Sequence, residues 1–357
     1  MDMQLISKQL DYINTFQDNI NIMEVCGTHT MAISKFGIRT LLNSNINLIS
    51  GPGCPVCVTP DIYLDYIYDL ALKEDIVIAT YGDMIRVPGS DPLRTLENAK
   101  AKGAIVRMVY SSMDALKLTE EYKDKKVVFL GIGFETTAPA TAIAVREAQS
   151  LGISNFYVLS LHKIVEPVMK MLLEDEDLKI HGFLCPGHVG VVVGEAGFKF
   201  LEEYNCPGAI AGFEMDEVVS GIYSLVKNIK EGTYDLKNPY KKLVRPEGNK
   251  AAMALIKSTF KIEDDYWRGM GLIGLSGLKL TEEFEQYNIE NVYPVSQNKV
   301  FKNNGCRCGD VLKGKIKPNE CALFGRVCDV ENPIGPCMVS SEGSCSAYYK
   351  YSSIVRR

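Results

Sequence analysis

Apolar positions along this chain fall into two alternating textures. Short runs rich in Ile, Val and Leu read as buried strands: NINIMEV (19–25), NINLIS (45–50), DIVIAT (75–80) and AIVRMVY (104–110). Between them lie stretches with apolar residues at helical spacing: MAISKFGIRTLLN (31–43), PDIYLDYIYDLALKE (60–74) and DPLRTLENAKAKG (91–103). Pro60 precedes the second of these, and Pro92 is placed to open the third, because a first-turn residue needs no amide hydrogen. A second series starts near residue 124, after the charged segment KLTEEYKDKK. Its strands are KVVFLGIG (126–133), NFYVLSL (155–161), HGFLCPG (181–187) and AIAGFE (209–214). Its helices are TAPATAIAVREAQSLG, KIVEPVMKMLLEDE and MDEVVSGIYSLVKNIKEG.

This alternation predicts an α/β fold with parallel sheets covered by helices. It suggests two α/β units, 1–120 and 121–235. Past KNPYKKLVRPEGNK the texture changes, and 236–357 reads as a third, smaller unit. A helical run reaches about Trp267, then a Gly-rich stretch, then a tail dense in cysteine with few periodic apolar segments. Such a tail buries little core of its own and needs a metal or cross-links to hold it.

Composition narrows the class. The 357 residues are 46% hydrophobic and 23% charged, with a net charge of −5, so nothing suggests a nucleic-acid footprint. The one tight basic cluster, Lys241, Lys242 and Arg245, reads as a solvated loop. The polar, acidic start lacks the features of a signal peptide, and GLIGLSGL and VGVVVG are too short to span a bilayer. A soluble, cytoplasmic protein is expected. Eleven cysteines in such a chain point to ligands or redox groups rather than a disulfide framework.

Six of those cysteines, Cys306, Cys308, Cys321, Cys328, Cys337 and Cys345, crowd the tail. Four of them make a C-x14-C-x6-C-x16-C spacing, Cys306, Cys321, Cys328 and Cys345, without histidine. An all-thiolate set suits a [4Fe–4S] cluster or zinc, and the absence of a tight C-x2-C pair in the tail favours the cluster; a group of structural thiols or disulfides is the alternative. GPGCPVCVTP (51–60) sets Cys54 and Cys57 between a strand and a helix. Thiols near a helix start have a lowered pKa, and this spacing closes and opens a disulfide readily. Two buried thiols in a Gly-Pro turn, or half of a zinc site, are the alternatives.

MEVCGTHT (23–30) puts Cys26 and His29 after a strand, where ligands sit in open α/β sheets. Cys26 reads as a nucleophile or metal ligand, with His29 as base, hydrogen-bond partner or co-ligand. A lone Cys–His pair is also what a satisfied core looks like. GIGFETTAP (131–139) resembles a phosphate-binding turn but is neither G-x-G-x-x-G nor a Walker A sequence, since Thr136 stands at the third glycine; a packing turn is equally compatible. Glu135, His162, Cys185 with His188, and Glu214 also stand at predicted strand ends. His29, His162 and His188 together suggest one cleft rim.

CGTHT, GPGCPVCVTP, GFETTAP, PGHV and the cysteine tail, in that order from about residue 20 to 350, resemble the HypD family of hydrogenase maturation factors. The resemblance implies two α/β domains across a cleft and a third carrying a [4Fe–4S] cluster. It implies an assembly scaffold rather than a conventional turnover enzyme, serving the Fe(CN)2CO group of nickel–iron hydrogenase. HypC would be its stable partner, and HypE a transient donor of cyanide. Cys26 would hold iron bearing CN and CO opposite a HypC cysteine, and Cys54 and Cys57 would pass electrons. Cys306, Cys321, Cys328 and Cys345 would bind the cluster, leaving Cys308 and Cys337 outside the four. Thr28 and His29 would orient the bound ligands, with Glu135 and His188 completing the candidate site. Three other readings fit parts of the sequence: a [4Fe–4S]-dependent disulfide reductase, a nucleotide-binding module built on GFETTAP, and a scaffold whose cluster is only structural.

Overall fold

A computed structural model describes residues 3–295 and 305–352. Within them the strands are β1 (Ile20–Glu24), β2 (Ile46–Ser50), β3 (Ile76–Thr80), β4 (Ile105–Met108), β5 (Lys126–Gly133), β6 (Phe156–Lys163), β7 (Gly182–Pro186), β8 (Gly208–Ala211), β9 (Phe260–Trp267) and β10 (Gly271–Leu280). The first eight are the eight apolar runs predicted from the sequence, and the fold is α/β. One sheet is parallel throughout, in the order β2-β1-β7-β8. The other runs β4-β3-β5-β6-β10-β9, with β10 and β9 joining antiparallel.

The sheets do not follow a division at residue 120. β1 and β2 pair with β7 and β8, so the first sheet is built from both ends of the first 211 residues, and the intervening chain makes most of the second. Parallel neighbours need only a crossover between them, and here one crossover is most of a sheet.

Strand periodicity explains how the sheets stack. In β3, β5 and β6, Ile76, Ile78, Val128, Leu130, Ile132, Leu159 and Leu161 face one core. Their sequence neighbours Val77, Ala79, Val127, Phe129, Phe156 and Val158 face the opposite one. The first sheet likewise sends Met23, Phe183, Cys185 and Ile210 into the shared core. Ile20, Ile22, Ile46, Leu48 and Leu184 go to an outer core under the helices Met3–Ile13, Gly27–Lys35 and Met215–Glu231. The two sheets therefore share one central layer, and the Cys54–Cys57 turn is part of it.

Two expectations change. The helical run expected to reach Trp267 ends at Thr259, and 260–267 is β9. Its inward positions include Asp265, a carboxylate that hides the strand pattern but is compensated by Lys163 of β6. The helix expected from Pro92 begins at Leu96, where the Thr95 hydroxyl accepts from the Asn98 amide. Residues 91–94 are instead a turn that aims Arg94 at Asp65, 2.9 Å away.

Candidate thiol and metal site

Cys26 follows β1 and stands at the N-cap position of the helix Gly27–Lys35, beside the backbone amides of Thr28 and His29. Those amides favour a thiolate, but burial and the nearby Glu342 carboxylate outweigh them and push the thiol up to about 12. At neutral pH the group is a thiol, and a bound cation is what can deprotonate it. Its sulfur lies 3.6 Å from Nε2 of His188, which begins the helix after β7. Burial holds the His188 imidazole below its ordinary pKa, so it is neutral and able to take a proton.

His29 has a different task. It is fully buried, and Nε2 donates to the carbonyls of Gly212 at 2.9 Å and Ala211 at 3.2 Å. Burial lowers its pKa to about 4, which keeps the ring neutral. His29 and His188 both pack on Phe213, each with a centroid separation of 4.8 Å. His29 thus ties the loop after β8 to the loop after β1, while His188 faces Cys26.

The second loop of the site is GPGCPVC. Gly53 is obligatory: a Cβ there would lie 2.1 Å from the backbone nitrogen of Cys26. The same approach lets the Gly27 amide donate to the Gly53 carbonyl at 3.1 Å. Cys54 and Cys57 form a disulfide across the first turn of the short helix Pro55–Val58.

The cysteine lobe closes the site from a third side. Its helix Pro336–Val339 packs on Pro55–Val58, and its helix Ser344–Ser352 packs on Gly27–Lys35. Thr28 donates to Glu342 at 2.7 Å, and Gly27 has no room for a side chain because Glu342 lies against it. Arg39 stacks on Tyr348 at 4.8 Å while pairing at 3.0 Å with buried Glu24, at the end of β1.

Within the lobe the thiols form a continuous group. Cys308 is close enough to Cys306 and Cys337, and Cys345 to Cys308, Cys328 and Cys321, for each to perturb the ionisation of the others. The Ile334 amide donates to the Cys328 sulfur at 3.4 Å, a contact of the kind that tunes cluster sulfurs. Among the described residues no three His, Cys, Asp or Glu side chains already clasp one point. The donors are nonetheless all sulfur, adjacent and largely withdrawn from water, which fits an iron–sulfur cluster better than a hard cation. Cys306, Cys308, Cys337 and Cys345 all pack into or against the central core, and a Cβ on Gly335 would lie 2.4 Å from the Cys306 sulfur.

The remaining predicted positions lie elsewhere. Glu135 ends β5 in the other sheet and accepts from the Val165 amide at 3.0 Å, capping the helix Val165–Glu174. Burial raises its pKa to about 7. The GFETTAP turn is tied internally, with the Thr137 hydroxyl donating to the Phe134 carbonyl. His162 does not join the rim: it is buried in the second sheet between Thr141 and Ser160, packed on Phe260. Cys185 is a core thiol of β7, and Glu214 caps the helix Met215–Glu231. Sequence reasoning missed Glu342, whose only signal is that it is a lone acid between Cys337 and Cys345. It also missed Arg268, which nothing in the local pattern marks.

A family model for HypD, described as "Hydrogenase formation hypA family", matches residues 2–352. The chain is 42% identical to "Hydrogenase maturation factor HypD" of Cupriavidus necator, covering 93% of this chain and 89% of that one. It is also 42% identical to the protein of the same name from Escherichia coli K12, over 94% and 90% of the two chains. A putative hydrogenase expression/formation protein of Methanocaldococcus jannaschii is 40% identical over 99% of both.

Proposed function

The chain belongs to the HypD family of hydrogenase maturation factors, and from that premise we propose that it holds an iron carrying cyanide and carbonyl while that group is assembled and reduced. The observation that supports this most is the meeting of three thiol elements: Cys26 and the Cys54 turn through the Gly27–Gly53 bond, and the cysteine lobe through Thr28–Glu342. Cys26 binds the iron as cargo, giving up its proton to His188 Nε2 as the metal arrives. Soft, electron-rich iron suits such a thiolate. Glu342, pushed up by its burial, holds Thr28 and stands where a proton can be exchanged near Cys26. His29 keeps the rim rigid so that these atoms stay in register.

Opening the Cys54–Cys57 disulfide takes up two electrons and two protons; closing it returns them. A [4Fe–4S] cluster bound in the lobe supplies electrons singly. Cys306, Cys321, Cys328 and Cys345 are the proposed ligands. A second cysteine for the iron comes from HypC, held stably, and cyanide from HypE, held transiently; the setting is the cytoplasm. The test is iron and sulfide analysis with infrared spectra on anaerobic protein co-purified with its small partner. The reading expects about four irons and four sulfides per chain, further iron, and cyanide and carbonyl stretching bands. Zinc, or no metal at all, would overturn it.

One observation favours a second reading, a cluster-dependent disulfide reductase: the disulfide lies directly against the lobe. That reading has no use for Cys26. Full function in Cys26→Ala would establish it in place of the scaffold.

A further inference from the structure

Arg268 stands at the turn between β9 and β10, only 7% exposed. Its amide donates to the Val58 carbonyl at 2.8 Å, one residue past Cys57. Its guanidinium pairs at 2.6 Å with Asp61, at the start of the helix that follows the disulfide turn. Its charge also bears on the thiols of the lobe, Cys308 most strongly and Cys306 and Cys337 less so. The approach is tight: a Cβ on Gly269 would lie 2.4 Å from the Cα of Gly309. The hairpin that carries this arginine is itself anchored. Asp265 pairs with buried Lys163, and the Trp267 indole donates to Ser276 at 2.8 Å while its ring stacks on Phe134.

We propose that Arg268 is a positioning residue whose fixed positive charge, set between the Cys54–Cys57 turn and the cysteine lobe, favours the electron-rich state of both. The inference rests on the reading that the lobe holds an iron–sulfur cluster. Reducing that cluster adds one electron and one negative charge to a buried region. A guanidinium stays protonated in any environment, so its charge is present in both redox states and lowers the cost of the more negative one. Asp61 is the counterweight: it holds the guanidinium in place and offsets part of its field. Arg268 thus joins the dithiol turn to the lobe, through its amide at Val58 and the close approach of Gly269 to Gly309.

The test uses the full chain, purified anaerobically, as wild type, Arg268→Gln, Arg268→Lys and Asp61→Asn. Iron and sulfide are counted first, and the cluster midpoint is then read by EPR during titration with dithionite. At equal iron content the expected result is a midpoint shifted negative in Arg268→Gln and near wild type in Arg268→Lys. Asp61→Asn should shift it positive. A purely structural arginine would move both neutralising variants in the same direction, and that outcome, or no shift in Arg268→Gln, overturns the inference. If Arg268→Gln fails to retain its cluster, the sign of the Asp61→Asn shift decides. If wild type holds no iron and sulfide, the cluster reading falls by itself. The charge is then read on Cys54–Cys57, titrated against dithiothreitol buffers, where Arg268→Gln should make the disulfide harder to reduce; an unchanged potential overturns the inference there too.

Discussion

The strand ends of the two sheets carry similar residues with opposite fates. At the ends of β1 and β7 stand Cys26 and His188, and at the ends of β5 and β6 stand Glu135, His162 and Lys163. In the first sheet these ends meet other loops, the disulfide turn and the cysteine lobe, and the polar atoms remain directed at one another across a junction. In the second sheet the hairpin β9–β10 lies along β6 and seals it: Ser160 donates to Leu278, and Lys163 is paired with Asp265. Glu135 is spent on a helix cap. A polar residue at the end of a parallel strand is therefore only an offer of chemistry; what packs over it decides whether the offer is taken up.

The comparison breaks if Cys26 proves dispensable. Cys26→Ala should abolish the cyanide and carbonyl bands entirely while leaving lobe iron and the thermal unfolding midpoint unchanged. Retained bands would move the iron site elsewhere.

The sealed sheet makes the reverse prediction. Lys163 is about 1% exposed, and burial lowers its pKa to about 8 despite the Asp265 partner. Lys163→Met leaves a buried carboxylate without its cation and should cost about 3–5 kcal/mol in urea unfolding. Adding Asp265→Leu should recover most of that loss. Equal stability of the single and double variants would mean the pair does not hold the hairpin.

His29 tests whether the first sheet's rim is structural at that point. His29→Ala strands two buried carbonyls and should cost about 1–3 kcal/mol, with iron binding reduced only as far as the fold is loosened. Undiminished stability with lost infrared bands would place His29 in the chemistry instead.

The smallest effect is a slope. The folded-state pKa of Glu135 is raised to about 7 from 4.5, so the folded protein binds the extra proton between those values. Its contribution is complete below pH 4.5 and is lost as pH rises through 7. Wild type should therefore lose roughly 2 °C more in unfolding midpoint than Glu135→Gln between pH 5 and 8. Parallel profiles would show that Glu135 is ionised in the folded state.

Much of this is legible in the sequence. The eight parallel strands follow from β-branched runs of a few residues, since strands buried on both faces must be apolar along their whole length. The placement of Cys26, Cys54 and Cys57 at strand ends follows from the same runs, and the tail's need for an external anchor follows from its thin apolar content. The antiparallel hairpin was not legible. Its inward Asp265 looks like solvent-facing polarity until Lys163, 102 residues earlier, is seen beside it. Glu342 and Arg268 escaped for the same reason, because their partners Thr28, Asp61 and Cys308 are set by packing and not by spacing.

By itself the sequence determined the eight parallel strands, the thiol inventory and the family, because each is written in residue type and short-range order. Tertiary structure alone decided which strands share a sheet, that His188 and not His162 faces Cys26, and that Arg268 lies between the dithiol turn and the lobe. Those are questions of which surfaces exclude water together, and burial couples residues without regard to their distance along the chain.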